Sequence, residues 1–332
     1  MKILIIKLGA IGDVLRTTAI LQGLRDRYGN CEISWVTKKE SFDILRNNNA
    51  IDRIFLIEDV KKISENFDLV ISLDDDFEAC RLASEANSKK IVGAYLDSSK
   101  RTYTKDSALW FGMGLISRFG KRRADELKAL NRKTYQQIMY KILGLKYKKQ
   151  EPILNLTKKE LDFGRKFAQK NKIGKKDLVI GINTGAGGRW QDKKLSIEKA
   201  TELIGKLNKI KNARLLLFGG PEEKERNGQI KKLTKTKIID AGCSNSLMKF
   251  ASLVNLCNIL VTSDSLAMHI GIALKKKIVA FFCPTSPYEI ELYNRGVKIV
   301  PRKGCVCCYK EKCDIAPEYD VDEIVKSVKS LI

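Results

Sequence analysis

The chain begins with an apolar run that leads into a glycine turn, Ile3-Leu4-Ile5-Ile6-Lys7-Leu8-Gly9-Ala10-Ile11-Gly12-Asp13-Val14. The Ile and Leu run is typical of a buried parallel strand, and residues 14–24 are apolar at helical spacing. Residues 9–12 are therefore predicted to form a strand-to-helix turn, with Asp13 at the helix start. Ligands bind outside the carboxyl ends of strands in such sheets. Asp13 is thus either a ligand-facing carboxylate or a residue that caps the helix.

Strands and helices alternate through both halves of the chain. The alternation predicts an α/β protein whose parallel sheets are covered by helices. A length of 332 residues favours two domains, and the charged, proline-bearing segment 146–152 predicts the boundary between them. Predicted strands lie at 33–37, 53–56, 67–73, 90–93, 178–183, 214–218, 237–239, 259–262 and 278–282.

The chain is strongly basic. It carries 62 Lys and Arg against 39 Asp and Glu, a net charge of +23, and residues 100–149 hold 14 of these cations with three acids. Such an excess favours an anionic partner: a nucleic acid, a phosphorylated sugar or an acidic membrane surface.

Residues 94–125 lose the strand–helix pattern. Their apolar part, 110–116, is predicted either to contact lipid or to pack on the first domain.

The sequence predicts a cytoplasmic protein. No apolar run reaches the ~20 residues that a membrane-spanning helix needs. The N-terminal run differs from a signal peptide because Lys7 interrupts it and Asp13 follows soon after.

Two clusters raise the question of a metal site. Asp74-Asp75-Asp76 follows a predicted strand, and a turn that feeds a helix start is favoured over a cation site because no other ligand cluster is evident nearby. Four of the nine cysteines, Cys305, Cys307, Cys308 and Cys313, lie close together in sequence. Free or redox-labile thiols are favoured over zinc, because Cys307 and Cys308 are adjacent and no second CxxC pair is present. No bound metal is expected.

A glycine-rich turn follows the strand at 178–183. It reads Asn183-Thr184-Gly185-Ala186-Gly187-Gly188-Arg189-Trp190-Gln191-Asp192-Lys193. Glycines let backbone N–H groups approach a phosphate, the Thr184 hydroxyl can donate, and Lys193 supplies positive charge. The turn is therefore predicted to bind phosphate, with a flexible loop as the alternative.

Two further strand ends carry polar turns. In Gly219-Gly220-Pro221-Glu222-Glu223, a carboxylate either accepts from ribose hydroxyls or simply starts a helix. In Thr262-Ser263-Asp264-Ser265, followed by His269, the helix start favours a pyrophosphate that Ser265 and backbone N–H groups can reach. His269, the only histidine, is either structural or functional.

Together these residues resemble glycosyltransferase family 9, the ADP-heptose:lipopolysaccharide heptosyltransferases. The resemblance covers nearly the whole chain. Each motif alone is weak, but five in the right order, each at a predicted strand end, are specific. They are residues 7–14, residues 183–190 with Lys193, residues 219–223, residues 263–265 with Met268 and His269, and Phe281-Phe282-Cys283-Pro284-Thr285-Ser286.

The resemblance implies a GT-B fold, with two Rossmann-like domains that face each other across a cleft. It implies an acceptor-binding domain at 1–150 and a nucleotide-sugar-binding domain at 151–315. Residues 316–332 are expected to form a helix that returns to the first domain.

The resemblance also implies roles for individual residues. Asp13 matches the family's general base in an inverting transfer. Lys193 matches the phosphate-binding lysine, and Glu223 the ribose-side glutamate. Asp264, Ser265 and His269 match the pyrophosphate-binding unit. With Thr184 and Gly185, these residues form the expected donor site.

The implied donor is a nucleotide-sugar, ADP-heptose, with no further cofactor and no essential metal. The implied acceptor is a phosphorylated, lipid-linked glycan such as the lipopolysaccharide core. Peripheral attachment to the anionic inner face of the cytoplasmic membrane is expected, and no nucleic-acid partner. Two departures from the family's pattern leave the identity of the donor's sugar and base undetermined. Leu266 replaces the family's usual glycine, and Asn245 stands where an apolar residue would suit adenine.

Three alternatives remain at this point. The first is a transferase of the same fold that uses another nucleotide-sugar. The second is a non-enzymatic nucleic-acid-binding protein, although few aromatic residues accompany the basic segment. The third is an epimerase, which usually needs a dinucleotide and a Tyr-x-x-x-Lys pair. Here Met139 follows Tyr135 at that spacing, and no GxGxxG precedes it.

Overall fold

The computed structural model describes residues 1–114, 119–188 and 190–332. They form two compact units. The first unit comprises Met1–Asn155 with Tyr288–Glu291, and the second comprises Leu156–Pro287 with Leu292–Ile332. The sequence placed the division at residue 150.

The first unit contains a six-stranded sheet. Its strands are β1 (Lys2–Ile6), β2 (Glu32–Thr37), β3 (Arg53–Leu56), β4 (Leu69–Ser72), β5 (Ile91–Asp97) and β6 (Lys100–Tyr103). Its helices are α1 (Ile11–Thr17), α2 (Ile20–Tyr28), α3 (Lys39–Leu45), α4 (Phe77–Glu85), α5 (Ala108–Phe111), α6 (Lys121–Leu130) and α7 (Tyr135–Ile142), with a 3₁₀ helix at Ile57–Lys62.

The second unit also contains a six-stranded sheet. Its strands are β7 (Leu178–Asn183), β8 (Ala213–Phe218), β9 (Ile239–Asp240), β10 (Ile259–Ser263), β11 (Lys277–Phe281) and β12 (Gly296–Ile299). Its helices are α8 (Lys158–Lys170), α9 (Ile197–Leu207), α10 (Lys224–Leu233), α11 (Leu247–Asn255), α12 (Leu266–Ala273) and α13 (Val321–Ser330), with 3₁₀ helices at Gln191–Lys193 and Pro221–Glu223.

Both sheets share one strand order. The strand order is β3-β2-β1-β4-β5-β6 in the first unit and β9-β8-β7-β10-β11-β12 in the second. All pairs are parallel except β5 with β6, as the strand–helix alternation predicted. The order reverses between β1 and β4 in one sheet and between β7 and β10 in the other. Ligand crevices form at such reversal points, outside the carboxyl ends of the strands.

The opening apolar run forms the centre of the first sheet. In β1, Ile3 pairs with Ile33 of β2 on one side and Leu69 of β4 on the other. Residues 3–6 are fully buried, as expected for a strand covered on both faces. The turn after β1 therefore starts from a rigid position.

The C-terminal helix corrects one expectation. Residues 316–332 were expected to return to the first domain, but α13 packs against α9 and β11 of the second unit. The physical reason is its apolar face, which is buried in the core of the second unit. That face consists of Val321, Ile324, Val325 and Val328.

The described residues of the segment 94–125 include regular elements, namely parts of β5 and α6 and the whole of β6 and α5. Strand β6 pairs antiparallel with β5, a hairpin that the sequence did not predict. Phe111 is buried, and the Trp110 ring packs edge-on against Tyr135 at 5.1 Å. Packing on the first domain is thus confirmed for these two aromatic residues. Leu115, Ile116 and the basic Arg118 lie outside the described residues, as does Arg189. Within the described ranges, no helix has the length and apolar character to cross a bilayer.

Candidate functional site

A cavity of about 570 Å³ opens at the strand-order reversal of the second unit. Turns that follow β7, β8 and β10 contribute to its wall. Of the predicted donor-site residues, Gly185, Glu223 and Ser265 line it. The other lining residues are Asn183, Ala186, Gly187, Gly219, Gly220, Pro221, Glu222, Cys243, Asn245, Leu247, Phe250, Leu266 and Ala267.

Lys193 and Asp264 form a buried ion pair in the same unit. The Lys193 ammonium lies 2.9 Å from Asp264 Oδ2 and donates to the Asp264 backbone carbonyl at 3.0 Å. Asp264 Oδ2 also accepts from the Thr285 hydroxyl at 2.6 Å. The sequence places Thr285 in the motif at 281–286 but indicates no role for its hydroxyl. Two turns that are 71 residues apart are therefore held together by one cation.

The charges around Asp264 keep it ionised. Burial alone would raise the pKa of this carboxyl, but Lys193, His269 and the Thr285 hydroxyl together hold the pKa well below its usual range. His269 Nε2 lies 4.0 Å from Asp264 Oδ1. The three residues predicted for pyrophosphate binding thus form a compact group with Lys193, since Ser265 follows Asp264 directly and caps α12.

Glu223 is a buried carboxylate with defined partners. Its Oε2 accepts from the Gly220 backbone N–H at 2.9 Å, and its Oε1 lies 2.9 Å from the Lys194 ammonium. It faces Gly185, where a Cβ would lie 2.7 Å from Glu223 Oε2. Only glycine therefore fits at position 185 without displacing this carboxylate.

Replacing Gly185 by Ala is expected to destabilise the protein by about 1–3 kcal/mol, the usual cost of overpacking a tight site. The Glu223 carboxylate cannot move freely because Gly220 and Lys194 hold it. Thermal or denaturant unfolding measures the effect. The matched control is Gly205→Ala in α9, where a Cβ meets nothing within 4 Å, and a gain of about 0.4–1 kcal/mol is expected. Equal stability of the two variants would contradict the close approach.

Thr184 differs from its predicted role. Its hydroxyl donates to Asn227 Oδ1 at 2.5 Å and lies 3.2 Å from the Phe218 carbonyl oxygen. The side chain is buried and does not line the cavity. In the structure, Thr184 ties the turn after β7 to β8 and α10.

The two departures from the family pattern both lie at the cavity. Leu266 is the first residue of α12 and lines the wall beside Ser265. The Asn245 amide donates to the Ala241 carbonyl at 2.8 Å. This hydrogen bond fixes the Asn245 side chain just before the start of α11. With Leu247 and Phe250, the cavity offers an apolar region next to a polar one.

In the first unit, the turn after β1 places Asp13 in the first turn of α1. The N-cap of α1 is Ala10, so the alternative that Asp13 caps the helix is wrong. Asp13 Oδ1 pairs with the Arg16 guanidinium at 2.8 Å, and 36% of the Asp13 side chain is exposed. A carboxylate is thus held by a cation while it remains accessible to a ligand.

Arg16 is a site residue that sequence analysis missed. Its guanidinium carbon lies 3.9 Å from the centroid of the Tyr135 ring and 5.7 Å from that of Trp110. Another guanidinium nitrogen lies 3.9 Å from Glu289 Oε2. One feature of the sequence could have identified Arg16. It follows Asp13 at the i,i+3 spacing that allows an ion pair on a helix.

The acidic triplet after β4 has two structural roles. Asp76 is the N-cap of α4 and accepts from the Ala79 backbone N–H at 3.0 Å, so the predicted helix-start role is confirmed for this residue. Asp74 forms an ion pair with the buried Lys7 and accepts from the Leu8 backbone N–H at 2.5 Å. Lys7 also donates to the Gly9 carbonyl at 2.8 Å. The turn that carries Asp13 is thereby anchored to β4.

The sequence matches a known family over most of its length. Residues 59–318 match the model of glycosyltransferase family 9 (heptosyltransferase). Over 178 residues the chain is 30% identical to lipooligosaccharide heptosyltransferase 2 of Campylobacter jejuni, a match that spans 47% of this chain and 52% of the relative. The chain therefore spans about half the length of the curated relatives that it matches.

Solved structures resemble the chain over nearly its whole length. The family 9 glycosyltransferase of Veillonella parvula has a TM-score of 0.80 at 18% identity, with 99% of this chain and 96% of that chain covered. ADP-heptose LPS heptosyltransferase II of E. coli has a TM-score of 0.72 at 16% identity, with 100% and 98% covered. These likenesses confirm the predicted α/β fold of the GT-B class.

Proposed function

Since this chain belongs to glycosyltransferase family 9, we propose that it transfers a heptose from ADP-heptose to a lipopolysaccharide or lipooligosaccharide core. The observation that carries the proposal is the buried Lys193–Asp264 pair beside a cavity at the strand-order reversal of the second unit. Such a position suits the diphosphate of a nucleotide-sugar.

The second unit binds the donor in this proposal. Lys193 and the N-terminus of α12, with Ser265 at its cap, stabilise the negative charge that develops on the leaving diphosphate. Glu223 lines the cavity on the side of the turn after β8, where its carboxylate can accept from ribose hydroxyls. The apolar region near Phe250 takes the base. Thr184 does not contact the ligand in this proposal, because its hydroxyl bonds to Asn227 and the Phe218 carbonyl and so holds the turn after β7.

The first unit binds the acceptor. The Asp13 carboxylate accepts the proton of an acceptor hydroxyl, and the oxygen forms a bond to the anomeric carbon. The bond from that carbon to the diphosphate breaks, and its electron pair leaves with the nucleoside diphosphate. Attack from the side opposite the leaving group inverts the anomeric configuration. Arg16 orients Asp13 through their 2.8 Å ion pair.

The reaction takes place at the cytoplasmic face of the membrane in this proposal. The acceptor is phosphorylated and lipid-linked, and the basic segment 100–149 supplies charge for its phosphates and for anionic lipid. In α6, the Arg122 side chain is 95% exposed and the Arg123 side chain 54% exposed. Both share a single acidic neighbour, Glu126, so the local charge remains positive.

A nucleotide panel tests the donor. A ligand that binds only the native state adds about 2.7 kcal/mol to the free energy of unfolding at 100 times its Kd. Since the proposed donor is ADP-heptose, ADP is expected to raise the melting temperature more than GDP or UDP. Purified protein, ADP-heptose and a heptose-deficient core acceptor should then give a glycosylated product by mass spectrometry. No shift with any nucleotide would contradict the donor site. A larger shift with GDP or UDP would keep the site and reject ADP-heptose.

A further inference from the structure

The segment between β12 and α13 contains four cysteines and no helix or strand. Two backbone hydrogen bonds close its base, from Arg302 N to the Glu318 carbonyl at 2.8 Å and from Glu318 N to the Lys303 carbonyl at 2.9 Å. Irregular loops of this length in compact domains are uncommon and usually functional. Something within the loop must hold its interior in place.

Four sulfur atoms meet at that interior. The Cys313 sulfur lies 2.8 Å from Cys305, 3.4 Å from Cys283 and 3.7 Å from Cys308. The sulfurs of Cys283, Cys305 and Cys313 all lie within 4.8 Å of one another. Cys305 and Cys308 are joined as a disulfide in the structure. Cys307, next to Cys308 in sequence, does not belong to the group of three.

We infer that Cys283, Cys305, Cys308 and Cys313 bind one tetrahedral metal ion, zinc or iron, through four thiolates. Zinc–sulfur bonds of about 2.3 Å in a tetrahedron place the sulfurs about 3.8 Å apart. The distances from Cys313 to Cys283 and Cys308 are already close to that value. A set of four thiolates selects zinc or iron among common metals. The loaded site requires Cys305 and Cys308 as separate thiolates, so it excludes their disulfide.

The proposal includes a fourth ligand that the spacing argument against a metal did not consider. That argument considered only the cysteines at 305–313 and found no second pair. Cys283 lies two residues after the end of β11 and 22 residues before Cys305, so the spacing within the loop could not include it. The sheet brings it to the loop, where its thiol donates to the Cys305 carbonyl at 3.0 Å.

The surroundings of the cluster suit a closed structural site. Cys283 and Cys313 are buried. A structural metal site of this kind is closed, because protein ligands take all four positions.

The site would also support the Lys193–Asp264 pair. Asp192 Oδ2 accepts from the Cys313 backbone N–H at 2.5 Å, and Asp192 immediately precedes Lys193. Cys283 lies two residues before Thr285, whose hydroxyl donates to Asp264. One ion would therefore hold both chain segments that fix this pair. This supporting role rests on the proposed function, whereas metal binding itself does not.

Metal analysis of the full chain, purified under reducing conditions, tests the assignment. About one zinc or iron per chain is expected, and the analysis identifies which. Cys283→Ser and Cys313→Ser are expected to reduce the metal to background. The matched control is Cys257→Ser, a buried cysteine of the same unit that lies outside the cluster, and it should keep the metal. Cobalt added to metal-free protein should give the absorption bands of tetrahedral thiolate coordination in wild type only.

A second measurement covers variants that fail to fold. In wild type, a chelator should make Cys305 and Cys308 reactive toward an alkylating reagent, as identified by peptide mass, and should lower the melting temperature. A metal-free protein with the Cys305–Cys308 disulfide intact under reducing purification would overturn the assignment. So would equal metal loss in Cys257→Ser. These readouts need no transfer activity, so they stand or fall separately from the proposed function.

Discussion

Sugar transfer by the Asp13→Asn variant is expected to fall by about 10²- to 10⁴-fold, the range that a positioned general base contributes. Asparagine has nearly the same shape as aspartate and can still accept from Arg16 in the 2.8 Å contact. The substitution therefore removes the proton acceptor and leaves the turn after β1 in place. Initial rates of ADP release with saturating acceptor measure the effect.

Nucleotide binding by the same variant is expected to stay within twofold of wild type. The residues proposed to hold the donor all lie in the second unit, whereas Asp13 lies in the first. The matched control is Asp26→Asn on α2, an exposed carboxylate that accepts from Gln22 at 2.6 Å, and wild-type rates are expected. If Asp13→Asn retained full turnover, the general-base role would be rejected. A parallel loss in Asp26→Asn would point to general damage to the unit.

The Lys193→Ala variant is expected to lose both nucleotide affinity and stability. A charge-assisted hydrogen bond to a phosphate contributes about 1.5–3 kcal/mol, which corresponds to about 10- to 150-fold in Kd. Removing one partner of a buried ion pair costs about 3–5 kcal/mol, because the other charge stays buried. Asp264 is that stranded charge, with 15% of its side chain exposed. Calorimetric titration with ADP and thermal unfolding measure the two losses.

The stability loss is expected to depend on pH. In wild type, the pKa of Asp264 is held below its ordinary value of about 3.9. The stabilisation by the pair is therefore fully present above that value and is lost as the pH falls through the lower, folded-state pKa. Without Lys193, burial acts to raise the pKa of Asp264, against His269 and Thr285 alone. The variant's deficit should thus be largest near neutral pH and shrink toward acid pH.

A double variant separates the two effects of Lys193. Lys193→Ala with Asp264→Asn removes the stranded charge, so stability should recover while nucleotide affinity stays low. Lys206→Ala in α9 serves as the matched control, because its ion pairs with Glu202 and Asp322 are exposed and worth little. Recovery of nucleotide affinity in the double variant would show that Lys193 acts only on Asp264 and makes no contact with the diphosphate.

Much of the fold could be predicted from local patterns. The apolar run at 3–6 and its glycine turn predicted a buried strand and a helix start, and both are present as β1 and α1. Ser196 caps α9 by accepting from the Lys199 backbone N–H, a position that its residue type favours. Strand β6 was not predicted, because its residues, Lys100 to Tyr103, show no apolar alternation.

For the candidate site, the sequence predicted the positions of the turns but not the directions of their side chains. Strand ends marked the turns that carry Lys193, Glu223 and Asp264, because parallel strands place such turns at one edge of the sheet. Side-chain direction was not predictable, and Thr184 therefore turned out to bond to Asn227 and the Phe218 carbonyl rather than to face the cavity. The roles of Arg16 and Thr285 were missed because each depends on contacts that only the folded chain forms, with Tyr135 and Glu289 for Arg16 and with Asp264 for Thr285.

The sequence by itself determined the two α/β units, the turns at their strand ends and the family to which those turns point, because strand and helix periodicity and turn chemistry are local properties. Only the tertiary structure decided which of these residues meet. It joined Lys193 to Asp264 across 71 residues, brought Cys283 to the cysteines of the 305–313 loop, and packed α13 on the second unit. Such contacts depend on how the sheet and its helices pack, and packing is set by the whole core rather than by the spacing within any one segment.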